Sequence, residues 1–436
     1  MSNGLNTKDI GELMISWAKE LFPLCRSITG QQTLRTLEYF QRLNPEFEKI
    51  VFETGEQVFD WTIPNEWNIS DAHLEHESGA RFAEFKKSNL HVLNYSIPID
   101  TEMDFAELEK NIYTDPDQPD WVPYIASYYK ERWGFCISEN DKKKMPAGKY
   151  KVFIDSTLEP GQLNLLDALL PGQNNREIFF SSYVCHPSMA NNELSGPVLL
   201  NALMLYIKEN YPKPRFSYRF VLQPETIGSI AYLSRFLERM KRNIFCGFNL
   251  SCVGDERAYS RLETRLGNTI ADKALTAALI GKDNVKHYSF MERGSDERQY
   301  NAPGVNLPIA TFSRSKFGEY PEYHSSADNF DLVTAKGLKG AFDVMVSIID
   351  TFEMGHHPKV NVLCEPQLGK RGLYPTLSVK GGYDNVKLRT NYIAYSDGQM
   401  SIFDIAEKIN ANLAHLVEEQ KTLAKNGLVS TSSEPY

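Results

Sequence analysis

Between residues 176 and 353 short apolar runs alternate with stretches of helical spacing, and this alternation restricts the fold more than any other feature. The runs over 177–184, 216–223, 244–253 and 307–312 are apolar along most of their length, the pattern of strands buried on both faces. The stretches 197–211, 227–242, 269–280 and 334–352 carry apolar residues at helical period. Strand and helix in repeated alternation give an α/β architecture. In open sheets of that kind ligands gather beyond the carboxyl ends of the strands, which is where His186 and Glu225 fall.

The flanks differ. Residues 8–44 read as two helices, the second opening after Gly30. Residues 48–155 are short, aromatic and turn-rich, the text of an inserted β-rich domain, with an aromatic core as the default use of its tryptophans and tyrosines and a cleft lining as the alternative. In the last unit, 367–436, Ser401 starts one helix, residues 413–425 form a second that Asn426-Gly427 stops, and 428–430 can begin a wing strand. That is a winged-helix pattern, and DNA binding is one function such a unit serves. Its eight Lys/Arg against seven Asp/Glu, with Glu418 and Glu419 on the second helix, are a poor match to a phosphate backbone. A structural or homo-oligomerising role is the expectation, with no nucleic-acid partner.

Net charge of −9 argues against a general polyanion binder. No apolar run approaches the roughly 18 residues of a membrane helix, and the first twenty residues lack the apolar core of a signal sequence, so a cytoplasmic protein without a membrane partner is expected. The six cysteines show no paired spacing and read as reduced thiols. Cys185 adjoins His186, but strand neighbours point to opposite faces, which argues against a thiol–imidazole pair.

The chemistry gathers in four segments: Cys185-His186-Pro187-Ser188-Met189-Ala190-Asn191-Asn192-Glu193-Leu194-Ser195-Gly196, Pro224-Glu225, residues 249–255, and Tyr323-His324. Imidazole, carboxylate and another oxygen donor at strand ends are what a hydrolytic zinc site needs. The motifs of serine hydrolases, NTPases and dinucleotide enzymes are absent from the sequence.

The H-P-S-x-A-N-x-x-L-S-G run, P-E-T-I-G-S at 224–229, G-S-D-E-R at 294–298 and Y-P-E-Y-H-S-S-A-D-N at 320–329 resemble an aminopeptidase-like branch of the zinc-dependent exopeptidase superfamily. Within it the chain is similar, over nearly its whole length, to bacterial proteins with an inserted β domain and a C-terminal winged helix, several linked to polysaccharide biosynthesis. The resemblance implies a three-layer sandwich with a mixed sheet, formed by residues 1–47 and 156–366 around the insert. It implies His186, Asn192, Glu225 and His324 as metal ligands. The branch reads N-D-N-L-S-G where this chain has Asn191-Asn192-Glu193-Leu194-Ser195-Gly196, so a neutral carboxamide replaces the carboxylate that bridges two metals. Pro224 stands where the superfamily places its general base, leaving Glu225 as the catalytic candidate, and Ser251 stands where it places a second-metal aspartate.

One tightly bound Zn²⁺ is therefore expected. Asp255 is a substitute ligand, Asp296 and Asp328 are candidates to orient the histidines, and Glu193, Asp296 or Glu322 could receive a substrate ammonium. Structural alternatives stand beside these: a hydrogen-bonded core histidine for His186, a helix N-terminal carboxylate for Glu225, a loop cap for Asn192 and a turn residue for Asp255. The functional expectation is a zinc-dependent aminopeptidase-like hydrolase acting on a small peptide or amide. A catalytically weak or inactive zinc-fold binding module is the alternative, and a winged-helix DNA-linked regulator a lower one.

Overall fold

A computed structural model describes residues 8–374 and 384–435 of the chain, so residues 375–383 of the expected C-terminal unit lie outside the described residues. An eight-stranded mixed sheet runs in the order Glu48–Glu53, Gln162–Leu170, Ser217–Gln223, Glu177–Tyr183, Ile244–Leu250, Ile309–Ser313, Tyr259–Leu262, Val285–Tyr288. The four strands from Ser217–Gln223 to Ile309–Ser313 are mutually parallel. Every residue of Glu177–Tyr183 and Ser217–Gln223 is buried, which is why these runs are apolar along most of their length on both faces, with Glu177 and Arg219 buried as an ion pair. Ile178 and Phe180 face one core; Phe179 and Tyr183 face the other.

From Glu177–Tyr183 the chain crosses through helix Ser195–Asn210 to Ser217–Gln223, then returns through helix Ile227–Asn243 to Ile244–Leu250 on the opposite side of the first strand. The two helices cover opposite faces, Leu199 and Leu203 in one core and Ile230 and Leu233 in the other. This reversal creates the crevice at which α/β sheets bind ligands. Gly196 makes the first crossover fit: a Cβ there would lie 2.2 Å from Ser182 Oγ and 2.5 Å from the Leu250 carbonyl.

Most element edges fall within two or three residues of those expected. The exception with consequence is the run 244–253: pairing ends at Leu250, and Ser251 to Val253 form a loop in which Cys252 takes φ 54°. Glu48–Glu53 is the edge strand of the large sheet, paired with Gln162–Leu170, and the chain between these two strands forms a separate sheet of Arg81–Phe82, Glu66–His76, Lys149–Glu159 and Ile99–Asp104.

At the C-terminal end, helices Ile402–Ile409 and Leu413–Lys425 are followed by strand Val429–Ser432, which pairs antiparallel with His357–Val360. Ser401 Oγ accepts from the Asp404 N–H at 3.2 Å, the expected helix cap. The unit is docked on the α/β body: Leu413, Leu416 and Leu423 share a core with helix Ala335–Met354, Asn412 Nδ2 donates to the Ile280 carbonyl at 2.9 Å, and Lys273 pairs with Asp404 at 2.8 Å. Among the described residues no helix is long and apolar enough to cross a membrane. All six cysteines are free thiols; five are buried and Cys364 is exposed.

Candidate metal centre

His186 follows strand Glu177–Tyr183 by three residues, Glu225 follows Ser217–Gln223 by two, and Ser251 follows Ile244–Leu250 directly. Neighbouring parallel strands thus deliver these groups to one end of the sheet. His186, Glu225 and His324, with Cys185, form the polar wall of a cavity of about 440 Å³. Its apolar wall comes from Ile28, Ile227 and the inserted domain, which contributes Trp61, Tyr124, Tyr128 and Tyr129. Core packing describes Trp67, Tyr95, Phe135 and Tyr150, which are buried, whereas Trp61, Tyr124, Tyr128 and Tyr129 line the cleft. The insert reaches the site because Tyr124 N–H donates to the His324 carbonyl at 2.8 Å and Ser326 N–H to the Val122 carbonyl at 2.9 Å.

His186 is buried, and its loop is held by an ion pair that the spacing of residues did not reveal. Glu193 pairs with Arg26, both side chains fully buried, while its other oxygen accepts from the backbone N–H groups of Cys185 and His186. Arg26 Nε also donates to the His186 carbonyl at 3.0 Å. Cys185, His186 and Glu193 are the one set of three potential ligands within 4.8 Å of one another among the described residues. Glu193 is already satisfied by a cation and two N–H donors, so this triad is a structural lock. The expected separation of Cys185 from His186 is corrected: Sγ lies 3.4 Å from His186 Nδ1. The strand stops at Tyr183, so strand alternation no longer governs the pair. Burial, then Glu193 and Glu225, push the Cys185 thiol well above its ordinary pKa, which keeps it protonated.

Glu225 is half-buried at the cavity wall and accepts from Ser295 Oγ at 2.7 Å. Burial raises its pKa, while His186, Ser295 and Arg298 oppose the shift. Thr226 takes φ 65°, a strained conformation for a β-branched residue. Asp296 holds that turn, accepting from the Thr226 N–H at 2.7 Å and Ser229 Oγ at 2.8 Å, and Arg298 donates to Thr226 Oγ1 at 2.7 Å. Asp296 is fully buried and its pKa is raised, first by desolvation and then by Glu225.

Two expectations about the carboxylates are corrected. Asp296 orients the Glu225 turn instead of an imidazole. Asp328 accepts from the N–H groups of Asn191 at 2.5 Å and Asn192 at 3.0 Å and from Tyr320, so it holds the backbone of the turn that follows His186. Asp255 is occupied by Ser315, through N–H and Oγ both at 2.8 Å, and by Asn191 Nδ2 at 3.3 Å. It is a loop clamp. Glu322 forms a two-pronged pair with Arg257 at 2.7 and 2.8 Å, and Glu193 is committed to Arg26.

Asn192 sits in a π-helical turn, Ala190–Leu194, with non-helical φ −105° and ψ 62°. Its Oδ1 accepts from the Tyr183 hydroxyl, which is also 2.8 Å from Ser251 Oγ. The three side chains are buried, and Cys252 Sγ lies 3.7 Å from Asn192 Oδ1. Tyr183 thus joins Asn192 and Ser251, the two positions at which the sequence resemblance implies carboxylates. Ser195 explains the L-S-G signature: Oγ donates to the Asn191 carbonyl at 2.6 Å and accepts from the Val253 N–H at 2.9 Å.

His324 takes φ 55° and stacks on Tyr323 with ring centroids 3.9 Å apart. Its ring is 5.2 Å from that of His186, and Tyr124 stands edge-on to both at 5.2 Å. Burial and His186 push His324 down to about 3, so it is neutral at pH 7 and free to donate a lone pair. Its Nε2 is buried without a hydrogen-bond partner among the described residues, as suits an atom that serves a ligand outside the protein. Two imidazoles and a carboxylate fit zinc. The donors of His186, Glu225 and His324 do not all lie within 4.8 Å of one another, so side-chain movement is needed to close them on an ion.

Residues 15–355 match the model of a domain of unknown function, DUF4910, and residues 356–431 match a winged helix-turn-helix. A Clostridium acetobutylicum protein, named as a candidate polysaccharide biosynthesis protein with an aminopeptidase-like domain, is 37% identical over 407 residues, 92% of each chain. A crystal structure of a candidate peptidase from the same organism superposes with TM-score 0.88 at 35% identity, covering 98% of this chain and 97% of that one. A zinc aminopeptidase from Bacillus subtilis matches with TM-score 0.56 at 14% identity, over 80% of this chain and 95% of its own, a likeness of fold.

Proposed function

The chain belongs to the aminopeptidase-like family defined by DUF4910 and completed by a winged helix-turn-helix, and on that premise we propose that it is a single-zinc hydrolase of a small peptide or amide. The observation that carries this reading is the pairing of His186 with His324, whose Nε2 has no protein partner, beside Glu225 in one cavity. His186, Glu225 and His324 would hold the ion, which when bound polarises a carbonyl and lowers the pKa of water. Asn192 belongs instead to the Tyr183–Ser251 cluster. That cluster supplies no charge for a second dication, which supports one ion over two.

Among the described residues Glu225 is the one acidic side chain on the cavity wall, so metal ligation and proton acceptance compete for it. Its raised pKa favours accepting a proton, and Ser295 fixes the carboxylate. With Pro224 at the neighbouring position, turnover on simple aminopeptidase substrates is slow. We place the activity in the cytoplasm, supported by the free cysteines, and in polysaccharide biosynthesis, after the relative's name. The winged helix serves packing: the exposed face of Leu413–Lys425 pairs Lys421 with Glu418 at 2.8 Å and offers no cationic stripe.

Turnover of a panel of amides by the zinc-loaded chain tests the reading. Chelator, His186→Ala and Glu225→Gln should each lower the rate by about 10²-fold or more. Chelator-insensitive turnover would overturn it.

A further inference from the structure

The acidic groups that an aminopeptidase would use to receive a free ammonium are all engaged elsewhere in this chain. Glu193 is neutralised by Arg26, Glu322 by Arg257, and Asp296 is buried under Thr226 and Ser229. None of the three lines the cavity. Glu225 does, and the hydrolase reading commits it to the ion. Apart from His186, His324, Cys185 and Thr226, none of them anionic, the remaining wall is aromatic and aliphatic, closed at one side by Tyr124 and Tyr128, whose hydroxyls satisfy each other at 2.6 Å. At the mouth Trp61 and Tyr129 meet edge to face, centroids 5.5 Å apart, with Trp61 38% and Tyr129 54% exposed.

A charged ammonium entering such a wall loses its water without gaining an anion. An acylated nitrogen carries no charge and presents apolar surface to the rings. We propose that the cavity selects an N-blocked, uncharged amide with a flat ring or similar apolar group, and disfavours a substrate with a free amino terminus. The selection rests on the hydrolase reading for its chemistry, but it concerns binding and can be measured apart from turnover.

The experiment is calorimetric titration of the full-length, zinc-loaded chain with N-acetyl-L-tyrosinamide and with L-tyrosinamide, and chromatography of the same samples reports hydrolysis separately. At pH 7 the acetylated ligand should bind about tenfold more tightly. Above the α-amino pKa of about 8 the free amine loses its charge, and the gap should narrow. Trp61→Ala and Tyr129→Ala change surface residues and should each weaken the acetylated ligand several-fold. Equal or tighter binding of the free amine at pH 7, a gap that does not change with pH, no binding of either ligand, or binding indifferent to both variants would each overturn the selection. Binding as described with no hydrolysis would refute the hydrolase reading alone.

Discussion

Removing the charge of Glu193 should damage the fold and the metal site together. The carboxylate and Arg26 are both at zero side-chain exposure, and the second oxygen of Glu193 accepts the N–H groups of Cys185 and His186. Breaking a buried pair by deleting one partner costs about 3–5 kcal/mol, and each buried N–H left without an acceptor about 1–3 kcal/mol more. Glu193→Leu should therefore cost at least about 5 kcal/mol, a large part of the 5–15 kcal/mol typical of a folded domain. Glu193→Gln keeps an acceptor and loses the charge, so about 2 kcal/mol is expected. Combining Arg26→Met with Glu193→Leu removes the orphaned guanidinium, and the pair should cost less than the sum of the singles by about 1–3 kcal/mol. Urea unfolding followed by tryptophan fluorescence measures all four chains, and zinc titration of Glu193→Gln should show weakened affinity because the His186 loop loosens. A cost below about 0.5 kcal/mol for Glu193→Gln, or additive singles, would refute the lock.

His356 is buried among Phe216, Phe352 and Phe403, and burial lowers its pKa from 6.5 to about 3. The unfolded state binds its proton first as pH falls below 6.5, so stability is full above that pH and declines toward 3, by about 3 kcal/mol at pH 4; His356→Phe should remove this part of the acid slope in pH-dependent melting. Asn192→Asp combined with Tyr183→Phe should permit a second zinc, seen as a second transition in zinc titration, and a single transition would show that charge was not the obstacle. Duplex DNA should bind the full chain no more tightly than about 10⁻⁴–10⁻⁶ M at physiological salt, and a nanomolar, sequence-selective complex in gel-shift assays would contradict the docked role of the winged helix.

Placement at strand ends was legible because the central strands are buried on both faces and their apolar runs stop where the sheet stops; His186 and Glu225 follow from that. The cap at Ser401 was legible too, since its side chain satisfies an N–H group three residues away. Contacts across long separations were not. Arg26 meets Glu193 167 residues on, and nothing in the segment Cys25-Arg26-Ser27 marks it as a partner. Tyr183 reads as an ordinary strand residue, yet being the last in the strand it turns its hydroxyl to Asn192 and Ser251. Asp255 carries the right chemistry for ligation and Asp296 and Asp328 the right chemistry to orient an imidazole, but nearby backbone N–H groups claim all three first. The aromatic wall was obscured because the insert's pattern does not tell Trp67 in a core from Trp61 at a rim.

Anomalous scattering at the zinc edge from crystals of the zinc-loaded chain tests the central claim most directly. One peak is expected, bonded to His186, Glu225 and His324, with the Asn192–Tyr183–Ser251 cluster unchanged and the peak lost in His324→Ala. Two peaks, or one that survives His324→Ala or lies between Asn192 and Ser251, would contradict the account.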